Sequence, residues 1–124
     1  MGKKKVLIIE DELSIKEVYA EVLIAADFEV LEAEDGEVGL NMAQGQEWDI
    51  LLLDIMLPKK DGLEVLAIIK KDPVLKLKPV VLLTNLGRDS IVKEGFNLGA
   101  VDYLVKSDIT PGDVVNCVIK YTNA

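Results

Sequence analysis

An α/β fold with a parallel sheet is what this sequence predicts, and three observations predict it. Short runs rich in Val, Ile and Leu recur at Val6–Ile9, near Val30–Leu31, and at Ile50–Leu53, Val80–Leu83 and Val101–Val105. Runs of that length and composition suit strands buried on both faces. Segments with helical spacing lie between and after them. The 124 residues are half apolar, enough for one core and in the range of one domain, 1–124. Five strands alternating with five helices give a doubly wound sheet with right-handed crossovers. The flavodoxin-like strand order 2-1-3-4-5 is one of the common solutions at this size. Glu32 and Glu34 interrupt the second run, which suits an edge strand.

Each helix has its own signal. Ile15, Val18, Tyr19, Val22, Leu23 and Ala26 follow the i, i+3, i+4, i+7 rule and mark the first. Glu37 to about Ala43 forms a weaker second helix, with Val38 and Met42 on one face. Leu63, Leu66, Ala67 and Ile69–Lys70 mark the third, which stops before Pro73. The fourth runs from Ile91 to Leu98, with Asp89 or Ser90 as cap and Gly99 as stop. In the fifth, Thr110 caps, Pro111 suits the first turn and Asp113 completes a capping box. Val114, Val115, Val118 and Tyr121 then face the core.

Composition narrows the function. The net charge of −8 disfavours nucleic-acid binding and anionic membrane surfaces. With no His, the chain holds no His-ligated metal, Ser-His or Cys-His site. Cys117 stands alone, so no intrachain disulfide forms, and a reducing compartment fits. No apolar run approaches the ~18–20 residues of a membrane span. A soluble cytoplasmic protein, monomeric or weakly dimeric, is expected.

Ligands of open α/β sheets bind beyond the carboxyl ends of the strands. The first run ends in Glu10–Asp11, the third in Asp54, the fourth in Thr84 and the fifth in Lys106. If strands one and three are neighbours, Asp11 and Asp54 converge. Two like charges ~4 Å apart repel by about 4 kcal/mol at an effective dielectric of 20. Three clustered carboxylates must therefore take up protons or a cation. Oxygen ligands alone select a hard ion, Mg²⁺ or Mn²⁺ in its place. Lys106 then suits a phosphoryl group as a point charge, and Thr84 suits it as a hydroxyl donor. One carboxylate is left to attack phosphorus. Read singly, each position has a bland alternative. Glu10–Asp11 could cap the first helix, and Thr84 could belong to a turn.

Together these residues resemble the receiver domain of two-component response regulators. The matching stretches are Val6-Leu-Ile-Ile-Glu-Asp-Glu12, Asp54-Ile-Met-Leu-Pro58-Lys-Lys-Asp61-Gly62, Val80-Val-Leu-Leu-Thr84 and Gly99-Ala100-Val-Asp102-Tyr103-Leu-Val-Lys106. They lie in the family's order and spacing over essentially the whole chain. The resemblance implies that Asp54 is the phosphoacceptor and that Asp11 and Asp54 bind Mg²⁺ directly. Glu10 would act through a metal-bound water, and the Met56 carbonyl would add a ligand. Thr84 would follow the phosphoryl group, Lys106 would pair with it, and Tyr103 would be the switch aromatic. Pro58 and Gly62 would shape the loop after the acceptor. The implied donor is a histidine kinase or phosphotransfer protein.

The chain departs from the family pattern at Asn85, where a small residue is usual, and at Ser107, where Pro is usual. Met56 and Leu86, which flank the site, are both apolar and offer an attacking water no hydrogen bond. Ala124 follows the fifth helix directly, so output is expected through protein contact on the face of helix 4, strand 5 and helix 5. The chain could equally be one domain of a longer regulator. Trp48 lies six residues before Asp54, hence ~20 Å from the site. Three other functions fit less well. An aspartyl-nucleophile phosphatase would need an acid at Met56, and a flavin site would not follow Glu10-Asp-Glu12, which repels phosphate. A pseudo-receiver that only binds partners would have no need of Asp11, Asp54, Thr84 and Lys106 together.

Overall fold

The structure is a computed structural model that describes residues 2–85 and 89–124. Five parallel strands form one sheet: β1 (Lys5–Ile9), β2 (Glu29–Ala33), β3 (Ile50–Asp54), β4 (Val80–Thr84) and β5 (Asp102–Val105). Their order is β2-β1-β3-β4-β5, the flavodoxin-like solution. β2 and β5 are the edges, and Glu32 of the interrupted second run is tolerated because that edge is only partly covered. The helices are α1 (Leu13–Ala25), α2 (Gly36–Gly45), α3 (Gly62–Lys71), α4 (Asp89–Leu98) and α5 (Pro111–Thr122).

Alternation along the central strands divides the core. Val6, Ile8, Ile50, Leu52, Val81 and Leu83 face the side carrying α1 and α5, where Tyr19, Leu23, Val114 and Val118 meet them. Leu7, Ile9, Leu51, Leu53, Val80 and Leu82 face the other side, against Leu40, Ala43, Val65, Leu66 and Ile69. β1, β3 and β4 are thus buried on both faces, which is why their sequences read as continuous apolar runs.

The expected helix faces need correction. Val18 and Ala26 are exposed, and α1 buries the narrower stripe Tyr19, Ala20 and Leu23. Val38 is also exposed, while α2 buries Gly36, Gly39, Leu40 and Ala43. Gly39 explains this turn of the helix. A Cβ there would lie 2.5 Å from the Ile9 side chain, so the helix can seat its glycine side on the sheet. Val101 precedes β5 and is exposed. A 3₁₀ turn at Leu75–Leu77 was not expected from the sequence. The Asp72 carboxylate organises the approach to it by accepting N–H bonds from Val74 (2.8 Å) and Leu75 (3.0 Å).

Other local expectations stand. α5 begins with the Thr110–Asp113 capping box and Pro111. Trp48 is buried before β3 and donates to the Ala43 carbonyl at 2.9 Å. Cys117 is buried, and burial pushes its thiol up to about 11. The Asp89 side chain, one candidate cap for α4, lies outside the described residues, as does Leu86. Ser90 lies inside the helix rather than at its cap. Among the described residues every peptide bond is trans, including the bond that joins Lys106 to Ser107.

Candidate functional site

Strand register builds the site. Ile9 pairs with Leu53, so Glu10 leaves β1 beside the end of β3, where Asp54 is the last residue. Asp54 pairs with Leu83, which brings Thr84 next to it on β4. Thr84 pairs with Val105, and its carbonyl accepts from the Lys106 N–H at 2.7 Å. Four strands thus deliver five predicted residues to one sheet edge.

Two acids in this cluster are buried. Glu10 is 0% exposed and Asp54 is 2% exposed, while Asp11 faces solvent. Ligand oxygens of all three lie within 4.8 Å of one another. The Lys106 side chain, only 2% exposed, reaches back from β5 to this group. Its Nζ donates to Glu10 at 2.8 Å, to Asp54 at 3.2 Å and to Glu12 at 3.3 Å. The second Asp54 oxygen accepts from the Met56 N–H at 3.1 Å. The Glu12 N–H donates to Glu10 at 3.0 Å.

Electrostatics follow from this geometry. Burial and the neighbouring Glu10 charge push the Asp54 carboxyl up to about 7, against the pull of Lys106. Burial by itself would lower the Lys106 ammonium, but Glu10 and Asp54 outweigh it and hold that group above its ordinary value. Burying such ions without each other would cost several kcal/mol apiece. The cluster therefore holds more negative charge than one ammonium neutralises. Three hard oxygen donors converge on it, a set that fits a small divalent cation.

The backbone around Asp54 is equally constrained. Gly62 donates its N–H to the Ile55 carbonyl at 2.8 Å, and a Cβ on Gly62 would collide with the Asp54 carbonyl. The loop between them turns at Lys59, whose φ is +68°. Asp61 caps α3 by accepting from the Glu64 N–H at 3.0 Å. Met56 is exposed on this loop. Glu10 and Asp11 do not cap α1; Glu12 holds that position, with no capping bond from its side chain. Tyr103 lies outside the acidic cluster, partly exposed on β5, with its ring edge-on to Phe96 of α4 at 6.0 Å.

The family model for the response regulator receiver domain matches residues 6–118. This chain belongs to the response regulator receiver domains. It is 38% identical over 124 residues to "Probable transcriptional regulator ycf27" of Guillardia theta, covering 98% of this chain and 47% of that protein. The chain spans about half the length of the curated relatives it matches. Vibrio cholerae chemotaxis protein CheY4 superposes with a TM-score of 0.90 at 28% identity, over 97% of this chain and 99% of that one. The Mn²⁺-bound form of response regulator Rcp1 gives 0.87 at 32% identity, over 98% and 96%. Receiver domains are phosphoacceptor switches of two-component systems rather than turnover enzymes. Among the described residues no helix is long and apolar enough to cross a membrane.

Two residues in contact with this cluster or with Tyr103 have no role that the sequence assigns. Glu12 was visible only as one letter of an acidic run, although Glu is a poor cap at a helix start. Phe96 was visible only as an apolar residue inside a helix, since its contact with Tyr103 depends on the seating of α4.

Proposed function

We propose that this receiver domain takes a phosphoryl group onto Asp54 from the phosphohistidine of a histidine kinase or phosphotransfer protein. An Asp54 oxygen attacks phosphorus, the P–N bond breaks as the O–P bond forms, and the imidazole nitrogen keeps the electron pair. Lys106 pairs with the phosphoryl oxygens, and the Thr84 hydroxyl donates to one of them. Glu10, Asp11, Asp54 and the Met56 carbonyl would hold Mg²⁺, Glu10 through a water. When bound, the ion supplies positive charge to the transferring group. The observation that carries this reading is the convergence of Lys106, Glu10 and Asp54 in one buried cluster.

The response is read on the face of α4, β5 and α5, where Tyr103 couples the Thr84 end of β4 to a downstream protein. The protein acts in the cytoplasm, as a monomer or weak dimer, without contacting nucleic acid or membrane through this domain. Intact-mass analysis after incubation with acetyl phosphate and Mg²⁺ tests the assignment. One added phosphoryl group is expected, absent in Asp54→Ala; a chain that stays unmodified, or an Asp54→Ala chain that is modified, refutes it.

The phosphorylated form is expected to be long-lived. Met56, 69% exposed beside the acceptor, presents no polar atom on its side chain to orient an attacking water. Met56→Asn is expected to speed hydrolysis by about tenfold, less than the ~10²–10⁴ of a fully positioned acid–base group. Decay of the phosphorylated mass over time checks this, and a wild-type half-life of seconds contradicts it.

A further inference from the structure

The Lys106 ammonium has three N–H donors, and three carboxylates occupy them. A phosphoryl oxygen can reach the amine only by displacing one. We propose that Glu12 is the displaced partner: it holds the place on Lys106 that a phosphoryl oxygen takes during transfer, and so acts as a positioning residue for that amine. This rests on the phosphoacceptor reading of Asp54.

The three contacts are not equivalent. Glu10 and Asp54 are buried, and both belong to the group of oxygens that could hold a cation. Glu12 is outside that group, its side chain is 46% exposed, and its contact is the longest of the three. With its carboxylate end open to water, this contact is screened more than the two buried ones and yields most easily. The backbone of Glu12 is pinned on both sides. Its N–H donates to Glu10 at 3.0 Å, and its carbonyl accepts from the Lys16 N–H at 3.0 Å. Only the side chain has to swing, and it swings into water. Helix capping does not account for this residue either, because its carboxylate takes no N–H from the first turn of α1. The carboxylate instead lies against an amine that is otherwise sealed from solvent.

Glu12 therefore opposes phosphorylation in two ways. It occupies the amine, and it places a negative charge where an anionic donor must approach. The exchange breaks no covalent bond and moves no proton.

Two measurements on the full chain test this. In the first, the rate of phosphoryl uptake from acetyl phosphate in Mg²⁺ is followed by intact mass for wild type, Glu12→Gln and Glu17→Gln. Glu17 is an exposed acid on α1, the helix that Glu12 precedes, and controls for net charge. Glu12→Gln is expected to be about threefold to tenfold faster than wild type, and Glu17→Gln within about twofold of it, since its charge is screened by salt. In the second, the ¹³C resonance of the Glu12 carboxylate is followed in wild type as beryllofluoride and Mg²⁺ are added. It is expected to move to the position of the solvated Glu17. Equal acceleration by both variants, no acceleration by Glu12→Gln, or a Glu12 resonance that stays in place overturns the proposal. A wild type that labels at Asp54 while Glu12→Gln is unchanged overturns this proposal alone. A wild type that takes up no phosphoryl group overturns the phosphoacceptor reading with it.

Discussion

Lys106→Met is expected to lower the stability of the metal-free chain by about 3–5 kcal/mol at pH 8, the range for breaking a buried ion pair by removing one partner. The ammonium is the only cation in contact with Glu10 and Asp54 among the described residues, and both carboxylates lie inside the protein. Methionine keeps the apolar stem and removes the charge, so the loss reports electrostatics rather than packing. In a domain of this size the midpoint of thermal unfolding should fall by roughly 10 °C or more. The loss should shrink as pH falls, because protonation of Asp54 relieves part of the repulsion. It should also shrink on adding Mg²⁺, because the ion would neutralise the two carboxylates in place of the missing ammonium and so bind the variant more tightly than wild type, which still carries Lys106 beside them. Circular dichroism melts of wild type and variant, with and without Mg²⁺, check all three effects. Equal midpoints in metal-free buffer would show that Lys106 does not hold this cluster together.

That prediction depends on long-range geometry, and the sequence announced it unevenly. The strands were legible because parallel strands buried on both faces must be apolar at every position, as Ile50–Leu53 and Val80–Leu83 are. α5 was legible because Thr110, Pro111 and Asp113 are a local capping device. Helical spacing groups Val18, Ala26 and Val38 with the apolar positions, yet all three are exposed, because a glycine seat at Gly39 and a narrow stripe on α1 decide what is buried. Hydrophobic spacing does not register a contact made through the absence of a side chain. The site was legible through its strand-end positions, since a period-two strand fixes where its last residue lies. The third contact of Lys106 was not. Glu12 and Lys106 are 94 residues apart, and only the register of four strands brings them together.

The same surplus of negative charge makes the acceptor itself a source of instability, and Asp54→Asn is expected to stabilise the metal-free protein. Asn has one acceptor oxygen where the carboxylate has two, so it keeps the bond from the Met56 N–H or the one from Lys106 but not both, and it removes the charge that burial and Glu10 oppose. The folded carboxyl sits at about 7 and the ordinary value is 3.8. Between those values the folded chain holds a proton that the unfolded chain has released. The contribution of Asp54 to wild-type stability therefore falls as pH rises from about 4 to about 7, and it is level above that. Lys106, held above its ordinary value, keeps its proton throughout this window and adds no slope. At about 1.4 kcal/mol per pH unit the window sets a ceiling of about 4 kcal/mol. The one contact that Asn cannot keep takes back part of this, which leaves a gain of about 1–3 kcal/mol above pH 7. The gain should fade through the window and be absent near pH 4. Denaturant melts of both proteins between pH 4 and 8 give the two curves. Mg²⁺ competes with the same proton, so its affinity for wild type should drop as pH falls below about 7, by at most tenfold per unit. A variant no more stable than wild type at pH 8, or a gain that grows toward acid, would mean that Asp54 is not held against its own charge.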